Sequence, residues 1–123
     1  MNREAAALWD RAQTALESAR TLAASDPDGA ASRAYYAAFY AVSAVFAEED
    51  RLFTKHTAVA AAVHRDLVRA GRVSAEAGRS YTWLMRLRQT GDYGQEFRVT
   101  AEEAEEAVRR ADSLVSEVAG MIG

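Results

Sequence analysis

The sequence predicts an all-α fold, a single domain over residues 1–123 built as an up-and-down antiparallel bundle of four to five helices. Apolar residues recur at spacings of three and four along most of the chain, which is the period of amphipathic helices. Alanine, the best helix former, is abundant, and Pro27 is the only proline. No segment shows the sustained period of two that is typical of a β-strand.

The first helix is predicted from Asn2 to about Ala24, because apolar residues repeat at helical spacing with charged residues between them. Residues 25–29, Ser-Asp-Pro-Asp-Gly, concentrate turn formers and reverse the chain. The second helix is expected to begin between Gly29 and Ser32 and to end near Glu48.

This second helix contains SRAYYAAFYAVSAVF at residues 32–46, the stretch around which the domain is organised. One row of side chains at helical spacing is expected to form buried core: Tyr35, Phe39, Val42 and Phe46. A neighbouring row has polar tips and is not explained by packing alone: Arg33, Tyr36 and Tyr40.

A third helix is predicted from about Thr57 to Ala70, with Gly71 as its C-terminal stop. Ser74 can then cap a fourth helix, which should end around Gly91.

The last helix opens at Thr100, since Thr100 and Glu103 have the spacing of a capping box. The four glutamates at residues 102, 103, 105 and 106 suit the positive end of this helix better than a catalytic or cation-binding role.

Composition excludes several kinds of protein. Cysteine is absent, so disulfides, thiolate metal sites and cysteine nucleophiles are excluded. The start of the chain lacks the apolar core of a secretory signal, and the longest apolar run, residues 34–47, is shorter than a membrane span of about 20 residues. We expect a soluble cytoplasmic protein that does not contact a membrane.

The net charge of -3 argues against a generally basic nucleic-acid binder, but the charge is uneven along the chain. Residues 51–99 carry nine Lys and Arg against four acids, whereas both flanking segments are acidic. This basic middle could face phosphate groups. Pairing with the acidic flanking helices is the favoured interpretation, since mixed-charge faces are ordinary on helical bundles.

No metal or cofactor site is predicted. His56 and His64, the only histidines, are eight residues apart and would lie about 12 Å apart along one helix. Phosphate-binding glycine loops and the nucleophile-elbow pattern are absent. His56, just before a helix, is more often a structural hydrogen-bonding residue.

The remaining candidates are the tyrosine row of the second helix and LRQTGDYG at residues 87–94. Arg88 and Asp92 are four residues apart and can form an ion pair, which is a purely structural interpretation. If tertiary packing brings Arg33 beside Arg88, the two arginines and the tyrosines would suit a phosphate and a stacked base. The sequence does not decide whether they meet.

Three stretches in this order, SRAYYAAFYAVSAVF, FTKH at residues 53–56 and LRQTGDYG, resemble the small HEPN-domain proteins over about residues 15–118. The resemblance implies a helical bundle that forms a homodimer. Many proteins of this kind resemble metal-independent ribonucleases with an Arg-x4-6-His motif, and several are toxins neutralised by a minimal nucleotidyltransferase.

Carried over to this chain, the motif's arginine is Arg88, but the expected histidine position holds Tyr93, with Asp92 just before it. Tyrosine has a reference pKa of about 10, far above that of histidine, so it is poorly suited to proton transfer near neutral pH. The departure therefore predicts loss of efficient nuclease activity.

Three hypotheses follow, and they leave open whether the protein is an enzyme. The first is a HEPN-fold homodimer, the toxin-like or regulatory half of a pair with a minimal nucleotidyltransferase. It would bind RNA, a nucleotide or that partner through Arg33, Tyr36, Tyr40, Arg88, Asp92 and Tyr93. The second is a metal-independent RNA endonuclease using Arg88 with Tyr93, His56 or Asp92. The third is a purely structural or interaction bundle.

Overall fold

The computed structural model describes residues 1–93 and 96–122, apart from the side chain of Tyr93, and over these residues it contains helices and no strands. The described residues form five α-helices: α1 (Arg3–Leu22), α2 (Pro27–Glu48), α3 (His56–Ala62), α4 (Ala75–Tyr93) and α5 (Ala101–Ala119). A π-helical segment, Val63–Val68, continues α3. The predicted all-α bundle is confirmed. No helix of the described residues is long and apolar enough to cross a membrane.

Helix α2 is the centre of the bundle, because it packs against α1, α3, α4 and α5. Small alanine side chains along α2 are fully buried, which lets neighbouring helices approach closely. Between them, Tyr35 and Phe46 are 0% exposed and Val42 is 2% exposed, as the core row predicts. Phe39 is only partly buried, since it lies at the edge of the core.

Helix α2 begins at Pro27, earlier than predicted. The Asp26 carboxylate accepts a hydrogen bond from the Gly29 amide at 3.0 Å and so caps the helix. Proline is favoured at the first helical position, where no intrahelical amide partner is needed. The residues interpreted as a turn therefore include the first turn of α2.

The predicted end of α3 at Gly71 is correct, but the helix does not remain α-helical to that point. Residues Val63–Val68 form the π-helical segment, and Gly71 then takes the left-handed conformation, with φ of 73°. The Ser74 hydroxyl accepts a hydrogen bond from the Ala77 amide at 3.0 Å, as expected of a helix cap.

Helix α4 runs past Gly91 to Tyr93, further than predicted. A side chain at Gly91 would lie 3.3 Å from the Asp28 carbonyl oxygen, so glycine allows α4 to pass close to the start of α2. The capping box at Thr100 and Glu103 is present and begins α5.

Charge pairs link the basic middle of the chain to its flanks. Arg98 pairs with Asp28 at 3.0 Å, and Arg72 pairs with Glu49. Within the middle itself, Arg51 pairs with Asp66 at 2.7 Å. Part of the positive charge is thus used in pairing, as the favoured interpretation proposed.

Candidate functional site

The candidate site is built on one face of α2, where aromatic rings lie in contact. The ring of Tyr35 is 5.2 Å from that of Tyr36 and 5.9 Å from that of Phe39, measured between centroids. Phe39 meets both tyrosines because residues three and four apart are neighbours on a helix surface. We call the set Tyr35, Tyr36, Phe39, His56, Arg88 and Asp92 the Arg88 cluster.

His56, the first residue of α3, completes the aromatic face. Its imidazole stacks on Phe39 with 4.4 Å between centroids and an interplanar angle of 13°. Its Nδ1 lies 2.8 Å from the Tyr35 hydroxyl, a hydrogen bond that fixes the ring's orientation. The FTKH connection therefore serves to bring an imidazole back onto α2.

Arg88 approaches the same rings from α4. Its guanidinium carbon lies 5.4 Å from the centroid of Tyr35 and 5.3 Å from that of Tyr36. One amino group donates to the Tyr36 hydroxyl at 3.2 Å, and Nε pairs with the Asp92 carboxylate at 3.0 Å. The predicted Arg88–Asp92 pair is present, and it orients a side chain that is only 16% exposed.

Arg33 shares the ring of Tyr36 with Arg88. The Arg33 guanidinium carbon is 5.0 Å from the Tyr36 centroid, so two arginines from different helices flank one tyrosine. The juxtaposition that the sequence left undecided is therefore present in the fold. Such contacts are the cation–π geometry, in which the ring face attracts the positive charge.

Tyr40 extends the cluster toward α1. Its ring is 5.7 Å from that of Tyr36, and the Arg11 guanidinium lies 5.8 Å from the Tyr40 centroid. Tyr40, Arg33 and Arg11 border a hollow of about 440 Å³. Sequence reasoning missed Arg11, because its position on α1 becomes relevant only through the packing of α1 on α2.

Sequence reasoning also assigned Tyr35 to the core alone. The side chain is indeed buried, yet its hydroxyl contacts His56 and its ring faces Arg88. The presence of a tyrosine in a core row could have indicated this second role, because a buried phenol normally needs a hydrogen-bond partner.

Burial favours the neutral forms of two groups in the cluster, Tyr35 and His56. Burial raises the pKa of Tyr35, although the Tyr81 hydroxyl and the Arg88 charge act in the opposite direction. Burial lowers the pKa of His56 below its usual 6.5, and the positive charge of Arg88 adds to this effect. A neutral imidazole beside a permanent cation can accept a proton, while the guanidinium can hold an anion.

Several other candidates lie apart from the cluster or outside the described residues. The predicted role of Tyr93 concerns its side chain, which is outside the described part. His64 contacts Thr82 on another part of the molecule, with 2.9 Å between Nε2 and Oγ1.

Of the α5 glutamates, Glu103 caps the helix and Glu106 pairs with Arg109. Residues 1–93 and 96–122 contain no group of three or more potential ligands placed to hold a metal ion.

Comparison with known proteins yields a consistent set of relatives. The chain matches the HEPN domain over residues 5–121. It is 34% identical over 113 residues to a UPF0332 protein of Thermotoga maritima, and the alignment covers 91% of this chain and 86% of that protein. It is 36% identical over 88 residues to a UPF0332 protein of Gloeobacter violaceus, and that alignment covers 71% of this chain and 70% of the relative. The chain therefore belongs to the HEPN domain family, whose nuclease-like helical fold is associated with nucleotides and RNA.

Proposed function

We propose that the protein is a homodimer that acts in the cytoplasm as the toxin-like or regulatory half of a pair with a minimal nucleotidyltransferase. It binds RNA or a nucleotide through Arg33, Tyr36, Tyr40 and Arg88, and its nuclease chemistry is degenerate. The observation that carries this proposal is the placement of two guanidinium groups over the single ring of Tyr36.

This arrangement supports binding of a phosphate and a base together. Guanidinium groups form charge-assisted hydrogen bonds to phosphate oxygens, and tyrosine rings provide stacking surfaces for bases. The row continues through Tyr40 to Arg11, so cations and rings alternate along the face. A short single-stranded segment fits this alternation better than a duplex, because its bases are free to stack.

The face next to the cluster supports the proposed dimer. A hollow of about 280 Å³ is lined by Leu8, Phe39, Leu52 and Phe53 together with Ser43 and Arg51, and Leu52 is 67% exposed. Phe39 belongs to both this hollow and the Arg88 cluster. A second copy packed here would remove Leu52 from water and enclose the cluster between two subunits.

Arg88 tests the binding role directly. Fluorescence anisotropy with a labelled single-stranded oligoribonucleotide, in chelator, should show binding that Arg88→Ala weakens by about ten- to a hundredfold. Arg3→Ala, which removes an exposed arginine from α1, is the charge-matched control and should leave affinity unchanged. Equal affinity of the two variants, at equal helicity by circular dichroism, would contradict the proposal and favour a structural bundle.

Light scattering tests the dimer. The protein should have twice its chain mass at micromolar concentration, and Leu52→Asp should make it monomeric because it buries a charge in the proposed interface. Ala6→Asp, at an exposed site on α1, is the control. A monomeric wild-type protein refutes this part of the proposal.

For the partner, the gene neighbourhood should contain an open reading frame for a small nucleotidyltransferase, and the product of that frame should co-purify with this chain.

The neighbourhood of His56 favours a second candidate function, a metal-independent RNA endonuclease. His56 and Arg88 contact the same pair of tyrosines, Tyr35 and Tyr36. Folding therefore places the first residue of α3 beside the arginine of α4. A neutral imidazole could take the proton of a ribose 2′-hydroxyl as that oxygen bonds to phosphorus. The P–O5′ bond would then break, and the departing oxygen would take up a proton, while Arg88 holds the phosphate.

Cleavage assays separate the two functions. If the purified protein cleaves the oligoribonucleotide in chelator and His56→Gln abolishes cleavage with binding retained, the endonuclease is established. If RNA binds but remains intact over hours, the non-catalytic role holds.

A further inference from the structure

A second basic hollow lies on the opposite side of α4 from the Arg88 cluster. Its volume is about 590 Å³, within the range of about 300–1,000 Å³ common for small-molecule sites. We call it the Trp83 groove, defined by His64, Arg79, Thr82, Trp83, Arg86 and Arg110. Arg86 and Arg88 are two residues apart, about 200° around a helix, so they project from opposite sides.

The Trp83 groove is rich in arginine. Arginines from α4 and α5 line it, namely Arg79, Arg86 and Arg110, and none of the described lining residues is an acid. Arg79 pairs with Glu76 at 2.8 Å and Arg110 with Glu106 at 3.0 Å, whereas no ion pair of Arg86 occurs among the described residues. Exposed ion pairs contribute only about 0–1 kcal/mol, so an anion can compete for these arginines.

The walls of the groove are held in place by packing. The π-helical segment brings His64 against α4, where its Nε2 lies 2.9 Å from the Thr82 hydroxyl. A β-carbon at Gly78 would lie 2.8 Å from Val68 Cγ2, so glycine is needed for this close approach. π-Helical turns inside helices are frequent at functional sites because they reposition side chains.

Trp83 adds a flat apolar surface to the cationic groove. The Arg110 guanidinium carbon lies 4.7 Å from its ring centroid, which fixes the orientation of the indole. Phosphate recognition by guanidinium forks beside an aromatic surface is the combination that a nucleotide requires.

We propose that the Trp83 groove binds the phosphate ester of a nucleotide, with Arg79 and Arg86 on the phosphate and Trp83 against the base. The same chemistry could come from a free mononucleotide or from the 5′-phosphorylated end of an RNA strand. This site is independent of the function assigned to the Arg88 cluster, because the two lie on opposite sides of α4.

Quenching of Trp83 fluorescence provides the test. The chain has two tryptophans, so Trp9→Phe leaves Trp83 as the only indole reporter. In this background AMP and GMP should quench the emission saturably, and adenosine, which lacks the phosphate, should bind at least about tenfold more weakly. Isothermal titration calorimetry on the unmodified protein should give the same order of affinities.

Arginine variants assign the site. Arg86→Ala should weaken the AMP-dependent quenching of Trp83 by about tenfold or more, whereas Arg3→Ala should leave it unchanged. Both Arg86 and Arg3 are exposed helical residues, so folding is expected to survive and circular dichroism can verify it. Binding of a 5′-phosphorylated oligoribonucleotide alone, still dependent on Arg86, would identify a strand end as the source.

Three results would overturn this inference. They are no saturable binding of AMP, GMP or the 5′-phosphorylated oligoribonucleotide at millimolar concentration, equal binding of AMP and adenosine, or AMP binding that Arg88→Ala abolishes and Arg86→Ala does not. The last result would place the nucleotide in the Arg88 cluster. Failure of RNA binding at that cluster, with AMP binding intact, would instead leave the Trp83 groove supported.

Discussion

The hydrogen bond between Tyr35 and His56 joins the core of the bundle to the candidate site, and Tyr35→Phe removes it with little other change. The hydroxyl lies 2.8 Å from Nδ1, and the Tyr35 side chain is 0% exposed. The ring contacts with Tyr36 and Phe39 survive the substitution, because a phenyl ring occupies the same place. The substitution therefore leaves the ring packing in place and removes the hydroxyl's hydrogen bond to His56 together with its interaction with the buried Tyr81 hydroxyl.

The expected loss follows from the net contribution of such a bond, about 1 kcal/mol. His56 is only partly buried, so its Nδ1 can reach water after the substitution, and the larger penalty of a buried unsatisfied group is not expected. For a domain of this size, about 1 kcal/mol corresponds to a fall in Tm of about 4 °C.

Urea unfolding measures this loss, with an unchanged m-value as the sign that the unfolded state is unaffected. His56→Phe keeps a stacking ring on Phe39 but lacks Nδ1, so a double-mutant cycle isolates the coupling between the hydroxyl and the imidazole. The coupling should be about 1 kcal/mol. If the two single losses add to within about 0.3 kcal/mol in the double variant, the proposed hydrogen bond contributes nothing and the reasoning is refuted.

Three further predictions concern pH and the helix ends. The pKa of His56 is lowered by folding, so the folded state binds fewer protons, and stability should decline as pH falls below the unfolded value of about 6.5. His56→Gln should flatten that part of the pH profile of urea midpoints, and an unchanged slope would contradict this. Gly71→Ala should cost about 1–2 kcal/mol by forcing a side chain to φ of 73°, with no neighbour within 4 Å to add a clash. Thr100→Ala should cost about 1 kcal/mol through loss of the capping box, and Thr100→Ser should restore most of it; equal midpoints for both variants would exclude the cap as a source of stability.

Local patterns explain why most element boundaries could be predicted. The capping box of Thr100 and Glu103 and the helix stop at Gly71 act within one or two helical turns. Their effect therefore depends on residues that are adjacent in the sequence. The misplaced boundaries have local and tertiary causes. The start of α2 follows from the cap of Asp26 on Gly29, whereas the passage of α4 through Gly91 depends on close packing against Asp28.

The two candidate sites show why the functional residues were only partly predictable. Arg33 and Tyr36 lie on one helix, and their spacing already places them near each other. Arg88 meets them from α4, and His56 meets Tyr35 after the chain has reversed. The Trp83 groove likewise combines the π-helical segment, α4 and α5.

Taken by itself, the sequence determined the all-α class, three of the four core residues predicted on α2 and the family, because periodicity, caps and ordered motifs are properties of neighbouring residues. Only the tertiary structure decided that Arg33 and Arg88 share the ring of Tyr36, and that the imidazole of His56 stacks on Phe39. Helical spacing already puts Arg86 and Arg88 on opposite sides of α4, and the packing decided which of the two contacts the tyrosines of α2. Contacts between distant segments depend on how helices pack, and helical spacing alone does not specify that packing.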